Sequence, residues 1–178
     1  MVSWPRPADW RPEPVAGLEI IIAPERAADN AAIHLLEERA FGPGRFARTA
    51  YRLREGNPHE ITLSFIARVS TLVVGSIRLT RIRIGEQPAL LLGPLTVDPA
   101  FRSKGIGRML IDASLAAAKA QGDRLVLLVG DEAYYGRSGF QRVRPGQITM
   151  PGPVDPMRLL VCELAEGALA ETGGRVMV

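Results

Sequence analysis

The chain has 178 residues, 47% hydrophobic and 23% charged, with 22 basic and 19 acidic side chains for a net charge of +3. That size and mix fit one soluble globular domain with a core of its own, and exclude a disordered chain, a coiled coil and a collagen-like chain. Aromatic residues, at 6%, are too few for a base-stacking platform, and the mild basic excess suits an anionic ligand better than nucleic acid. Residues 1–16 carry Pro5, Pro7, Pro12 and Pro14 without periodicity and read as an extended arm, leaving 17–178 as a single domain. Leu18 to Ile22 is a short apolar run, a first strand. Glu25 to Ala40 reads as a helix with Ile33, Leu36 and Ala40 on one face, stopped by Gly42-Pro43-Gly44. A second helix follows, with Phe46, Ala50 and Leu53 on one side, and ends near Gly56.

Ile61 to Val69 alternates apolar and polar residues, and Leu72 to Ile84 repeats that period of two, so both read as strands. Ala89 to Val97 is apolar enough to be buried on both faces. Pro94 lies inside it and cannot donate to a sheet ladder, which predicts a bulge or interrupted pairing at Gly93-Pro94. A helix follows from about Gly105 to Gln121, its inner face supplied by Met109, Leu110, Ala113, Ala117 and Ala120. Leu125 to Val129 is a buried strand, Glu132 to Ser138 a short helix, and Arg158 to Leu164 a late strand. The expected fold is mixed α/β: a mostly antiparallel sheet of six to seven strands flanked by helices, with one parallel pair around the long helix.

Cys162 is the only cysteine and His34 and His59 the only histidines, so no disulfide framework and no metal are expected. His59-Glu60 begins like a zinc-protease helix, but Leu63 stands where the second histidine belongs. Without a long apolar run or a leader-like N-terminus, the expectation is a cytoplasmic protein with no membrane and no nucleic-acid partner, a monomer or homodimer.

The chemistry concentrates between Leu91 and Arg108. A strand ends at Leu95-Thr96-Val97, the chain turns, and a helix opens within Arg102-Ser103-Lys104-Gly105-Ile106-Gly107-Arg108. The first turn of a helix leaves N–H groups unpartnered and partly positive, a place for phosphate. Gly105 and Gly107 remove side chains that would keep a diphosphate away, and Arg102, Lys104 and Arg108 add positive charge. No Gly-Lys-Ser/Thr follows, so this is no P-loop, and the third glycine of a dinucleotide fingerprint is missing.

Arg102-x-x-Gly105-x-Gly107 after a strand resembles the acetyl-coenzyme A motif of the GNAT N-acetyltransferases. Tyr134-Tyr135-Gly136-Arg137-Ser138-Gly139-Phe140 resembles their Tyr-x-x-x-Gly-Phe signature, and Leu91 to Val143 as a whole looks closest to the bacterial YhbS-like branch. The resemblance implies an enzyme moving acetyl from acetyl-CoA to a primary amine, on a small molecule or a protein, by direct attack. It implies that the coenzyme diphosphate sits on the amides of Ser103 to Arg108, Ile106 included. Backbone groups of Leu95 and Val97 would pair with pantetheine, and one N–H would face the thioester oxygen. Tyr135, five residues before Phe140, would stand beside the sulfur and give it a proton. Tyr134 would pack elsewhere.

Many relatives carry a glutamate base on the strand before the motif. Here that strand has Leu90-Leu91-Leu92, which leaves Glu38, His34, His59, Asp131, Glu132 or a water chain to take the proton, or an acceptor that binds already neutral. The missing glutamate also motivates an alternative, a non-catalytic acyl-CoA-binding sensor or scaffold. By the same resemblance the acceptor would contact Phe41 to Arg54, where Arg45, Arg48, Arg52 and Arg54 suit a carboxylate or phosphate, and the loop near Gly85.

Overall fold

The computed structural model describes residues 19–42 and 49–178. The arm over 1–16, Leu18, Arg45, Phe46 and Arg48 lie outside the described residues. The strands are β1 (Ile20–Pro24), β2 (Phe65–Val69), β3 (Leu72–Ile84), β4 (Gln87–Val97), β5 (Leu125–Val129), β6 (Gln141–Arg142), β7 (Ile148–Thr149), β8 (Leu159–Glu163) and β9 (Gly174–Met177). The helices are α1 (Asn30–Phe41), α2 (Thr49–Arg52), α3 (Ile106–Ala120) and α4 (Glu132–Tyr135).

Seven strands run across the sheet in the order β1-β2-β3-β4-β5-β8-β6, with β9 pairing the end of β3 and β7 pairing β9. Every pair on the main path is antiparallel except β4 with β5. This is the mixed sheet that the alternation and the α3 crossover call for. Period two sorts the central strands into two cores. Leu90, Val126, Leu128 and Leu160 face the side where Leu110 and Ile111 of α3 pack. Leu91, Leu125, Leu127 and Val161 face the other side, with Ile82 and Ile84. Ile33 and Leu36 of α1 cover Ile66 and Val73.

Two expectations need correction. The buried row of α3 is Ile106, Gly107, Leu110, Ile111, Ser114 and Ala118, whereas Ala120 is exposed and Met109, Ala113 and Ala117 only border the core. The helix lies close to the sheet at Gly75, where a Cβ would be 3.0 Å from Ile106 Cγ2 and 3.1 Å from Leu110 Cδ1. Small Ser114 belongs in that packed row, and its hydroxyl hides it from an apolar pattern. The stretch from Ile61 is also shorter as a strand, because Ile61–Leu63 forms a 3-10 turn before β2. Among the described residues, no helix is long and apolar enough to cross a membrane.

A buried ionic cluster ties β1, α1 and β3 together. The Glu25 carboxylate, 2% exposed, accepts from Arg78 Nε at 3.0 Å and Nη2 at 2.6 Å, and meets His59 Nε2 at 3.0 Å. Arg78 also donates to Asn30 at 2.9 Å, and Asp29 pairs with Arg68. Burial alone would raise the Glu25 pKa, but hydrogen bonds from His59 and Arg78 outweigh it and hold the carboxyl below its ordinary value. A depressed folded-state pKa stabilises the fold above the unfolded-state pKa, and that stabilisation is lost as pH falls through the folded value. Removing Glu25 leaves Arg78 buried without its main partner, a loss of about 3 kcal/mol. Glu25→Gln should therefore unfold at lower denaturant than the parent at pH 7, and the gap should close at acid pH. An equal midpoint at pH 7 would show that the cluster adds no stability.

Candidate active site

The site begins where β4 leaves regular pairing. Leu95 pairs with Ile77 and Leu92 with Leu79, so β4 spends three steps where β3 spends two. The bulge falls at Gly93-Pro94, as the proline predicts, and Gly93 sits at φ +122, where a side chain is poorly tolerated. On its other edge β4 pairs with β5 only through Leu90–Val126 and Leu91–Leu127. Past the bulge the two parallel strands separate. The Asp98 N–H donates to Val74 O at 2.8 Å, so by alternation Thr96 also bonds towards β3. Leu95 and Val97 then turn their backbone N–H and C=O groups into the gap.

The loop after β4 is set by Asp98, whose carboxylate accepts from Ala100 N at 2.9 Å and caps the 3-10 turn Pro99–Phe101. Ser103 at φ +64 and Gly105 at φ +76 both take the left-handed conformation, and such turns gather N–H groups into an anion-binding concavity. Gly105 is the N-cap of α3, and among the described residues no side chain caps it. None of the described residues lies within 4 Å of where a Gly105 Cβ would be. A cleft of about 600 Å³ opens here, lined by Leu95, Val97, Arg102, Ser103, Gly105, Ile106, Gly107 and Arg108. Lys104 does not line it, and Arg108 shares its charge with Asp112 at 3.6 Å. Open amides, a left-handed turn and the exposed Arg102, Arg108 and Arg137 are the kind of donor set a diphosphate requires.

Gly107 differs from the sequence reading. A Cβ there would collide with the hydroxyl of Tyr134, so its glycine makes room for a tyrosine. Tyr134 is 49% exposed, sets its ring edge-on to Tyr135 at 4.9 Å, and lines this cleft and its neighbour. It was expected to pack elsewhere, since one helical turn does not reveal which way its side chains point.

Tyr135 lies where the two clefts join. Its ring presses on Gly130 at the end of β5, where a Cβ would strike it, and stands edge-on to Phe140 at 5.9 Å. Phe140, 3% exposed, is the expected apolar plug. Burial, then the neighbouring Tyr134, push the Tyr135 phenol up to about 12, with Arg158 and Arg54 pulling the other way. The phenol therefore stays protonated at neutral pH, as a proton donor must.

The second cleft, about 520 Å³, lies across the bulge. Phe41, Thr49, Tyr51, Arg54, Asp131 and Arg158 line it, and it shares Phe41, Leu95, Tyr134 and Tyr135 with the first. The described part of Phe41 to Arg54 is thus at the site, while Arg52 is exposed and lines neither cleft. The Gly85 loop is elsewhere: its N–H donates to Arg175 O at 2.9 Å. Of the substitute bases only Asp131 lines a cleft, and one of its oxygens already caps Ala133 N. Glu132 pairs with Arg142 at 2.6 Å, His59 with Glu25, and His34 and Glu38 are exposed on α1. Among the described residues, no group of three His, Cys, Asp or Glu side chains could hold a metal ion.

The acetyltransferase (GNAT) domain family matches residues 60–142. YjhQ of Escherichia coli K12, described as an uncharacterized N-acetyltransferase, is 33% identical over 118 residues, 64% of this chain and 65% of that protein. This match therefore spans just under two thirds of YjhQ. YhbS of the same strain is 27% identical over 160 residues, 88% of this chain and 95% of that one. The crystal structure of Escherichia coli YhbS in complex with CoA superposes with a TM-score of 0.77 at 26% identity, covering 94% of this chain and 92% of that chain. A Brucella melitensis GNAT acetyltransferase in complex with acetyl-CoA gives a TM-score of 0.59 at 28% identity, over 86% of this chain and all but 1% of that one, which is 99% covered.

Proposed function

We propose that the chain is an acetyltransferase of the GNAT family that takes acetyl-CoA as donor and transfers the acetyl group to a primary amine by direct attack. The observation that carries this reading is the meeting of two clefts over one break in the sheet, with Leu95 and Tyr135 on both. One cleft has the donor set for a diphosphate, and the other is free for an acceptor.

In this reading the amides of Ser103 to Arg108 hold the diphosphate, with Arg102 and Arg108 beside it. The freed backbone of Leu95 and Val97 aligns the pantetheine arm. The thioester supplies the acetyl group and leaves as a thiol. The Leu95 N–H, already fixed in the bulge, donates to the oxygen that gains charge as the amine attacks. Tyr135 donates its phenolic proton to the departing sulfur and recovers one from the nitrogen through water. One N–C bond forms, one C–S bond breaks, and one proton passes from nitrogen to sulfur. Asp131 and Asp155 line the second cleft, but one oxygen of each already caps a backbone N–H, so in this reading the amine reacts in its neutral form.

The test is acetylation of a panel of small amines and of lysine peptides, followed by mass spectrometry and thiol release. An acetylated amine with matching amine-dependent CoA release is expected. Tight acetyl-CoA binding without transfer to any acceptor would instead favour an acyl-CoA sensor.

A further inference from the structure

Arg54 follows α2 and reaches the second cleft beneath the β4 bulge. Its Nη2 would be 2.8 Å from a Cβ on Gly93, so the guanidinium lies directly against the break in the sheet. It packs over the Tyr51 ring at 5.6 Å. Its Nε is shut off from solvent and has no hydrogen-bond partner among the described residues. Among the described residues no carboxylate pairs with it. The acid that reaches it most strongly is Glu37, which already accepts from the Tyr51 hydroxyl at 3.0 Å and pairs with Arg78 at 3.9 Å. The connection from α1 to α2, residues 43–48, contains two arginines and no acid. A shielded cation without a counter-charge is costly, and burial pulls the Arg54 pKa down to about 10. A planar fork in such a place is satisfied by an oxyanion, bound through two charge-assisted hydrogen bonds.

We propose that Arg54 anchors an oxyanion carried by the acceptor, so that the substrate is a compact amine bearing a carboxylate or a phosphate-type group. This rests on the acetyl-transfer reading above. The span is short, because Gly93 is two residues from Leu95, where that reading sets the attacked carbonyl. An amino acid or an aminoalkyl phosphonate fits that span, whereas a peptide lysine has no anion at the required distance. Arg158 lines the same cleft, as do Asp131 and Asp155, each of which spends one carboxylate oxygen on capping a backbone N–H.

Two measurements test the proposal. The first compares kcat/KM for amino acids and aminoalkyl phosphonates with their uncharged amide or alcohol counterparts. The parent protein should prefer the anionic member by about tenfold or more, the worth of a charged hydrogen bond. In Arg54→Gln the preference should collapse through KM, and Arg54→Lys should restore part of it. Equal use of charged and uncharged amines, or a fall in kcat with the preference intact, would overturn it. The second needs no turnover. With the protein saturated in CoA, millimolar acetate or phosphate should raise the melting temperature of the parent and not of folded Arg54→Gln. The two anions distinguish a carboxylate site from a phosphate site. If both proteins respond alike, the anion site is refuted even where transfer occurs; if only the parent responds but no amine is acetylated, the transfer reading fails and the anion site stands.

Discussion

Tyr135→Phe should lower kcat by about 10²- to 10⁴-fold, the usual contribution of a positioned proton donor, with CoA affinity within about twofold of the parent. The substitution removes one oxygen and keeps the ring that packs on Gly130 and Phe140, so the fold should be retained. The phenol is pushed up to about 12, chiefly by burial, and stays protonated throughout the working range. Giving up its proton leaves a phenolate, which Arg158 and Arg54 stabilise. The pH profile offers a second check. A group at its ordinary value would lose its proton near about 10 and turn the rate down there. With the pKa at about 12, kcat should rise as the amine deprotonates and show no alkaline fall due to Tyr135 below that value. Unchanged turnover in Tyr135→Phe would remove its assigned role.

Gly105→Glu should weaken CoA binding on the order of a hundredfold or more, because a carboxylate at the helix start both repels the diphosphate and satisfies the amides meant for it. Among the described residues space is no obstacle, since none of them stands within 4 Å of the new Cβ. Strain is a separate matter: at φ +76 any side chain costs about 1–2 kcal/mol. Gly105→Ala carries that strain without the charge and serves as the control. Calorimetric titration should find most of the affinity retained in Gly105→Ala and lost in Gly105→Glu, both remaining folded. Equal losses in the two would assign the effect to the backbone instead of the phosphate.

The features legible in sequence were those that depend on neighbours along the chain. β3 and β5 coincide with their predicted spans because each begins after a polar residue, Thr71 or Arg124, and stops at a glycine, Gly85 or Gly130. The bulge at Gly93-Pro94 follows from the missing N–H of proline, and the start of α3 from glycine spacing. What depends on distant partners was hidden. Glu25 and Arg78 are 53 positions apart, and only the assembled sheet joins them. β7 and β9 are two and four residues long, too short for a period, and are defined by each other and by Arg83 and Ile84. The side chain of Tyr134 was hidden too, because a single turn of helix takes its orientation from what it lands on, here Gly107. Arg54 was one basic residue among four in its segment until the fold set it against Gly93 and shielded its Nε.

The most direct measurement is a crystal structure of the protein with CoA. The diphosphate should accept hydrogen bonds from the amides between Ser103 and Arg108, with pantetheine in the gap beyond Leu91 and beside Leu95 and Val97. A diphosphate bound away from the start of α3, or pantetheine outside the opening between β4 and β5, would contradict the assignment of the cradle and of the transfer chemistry built on it.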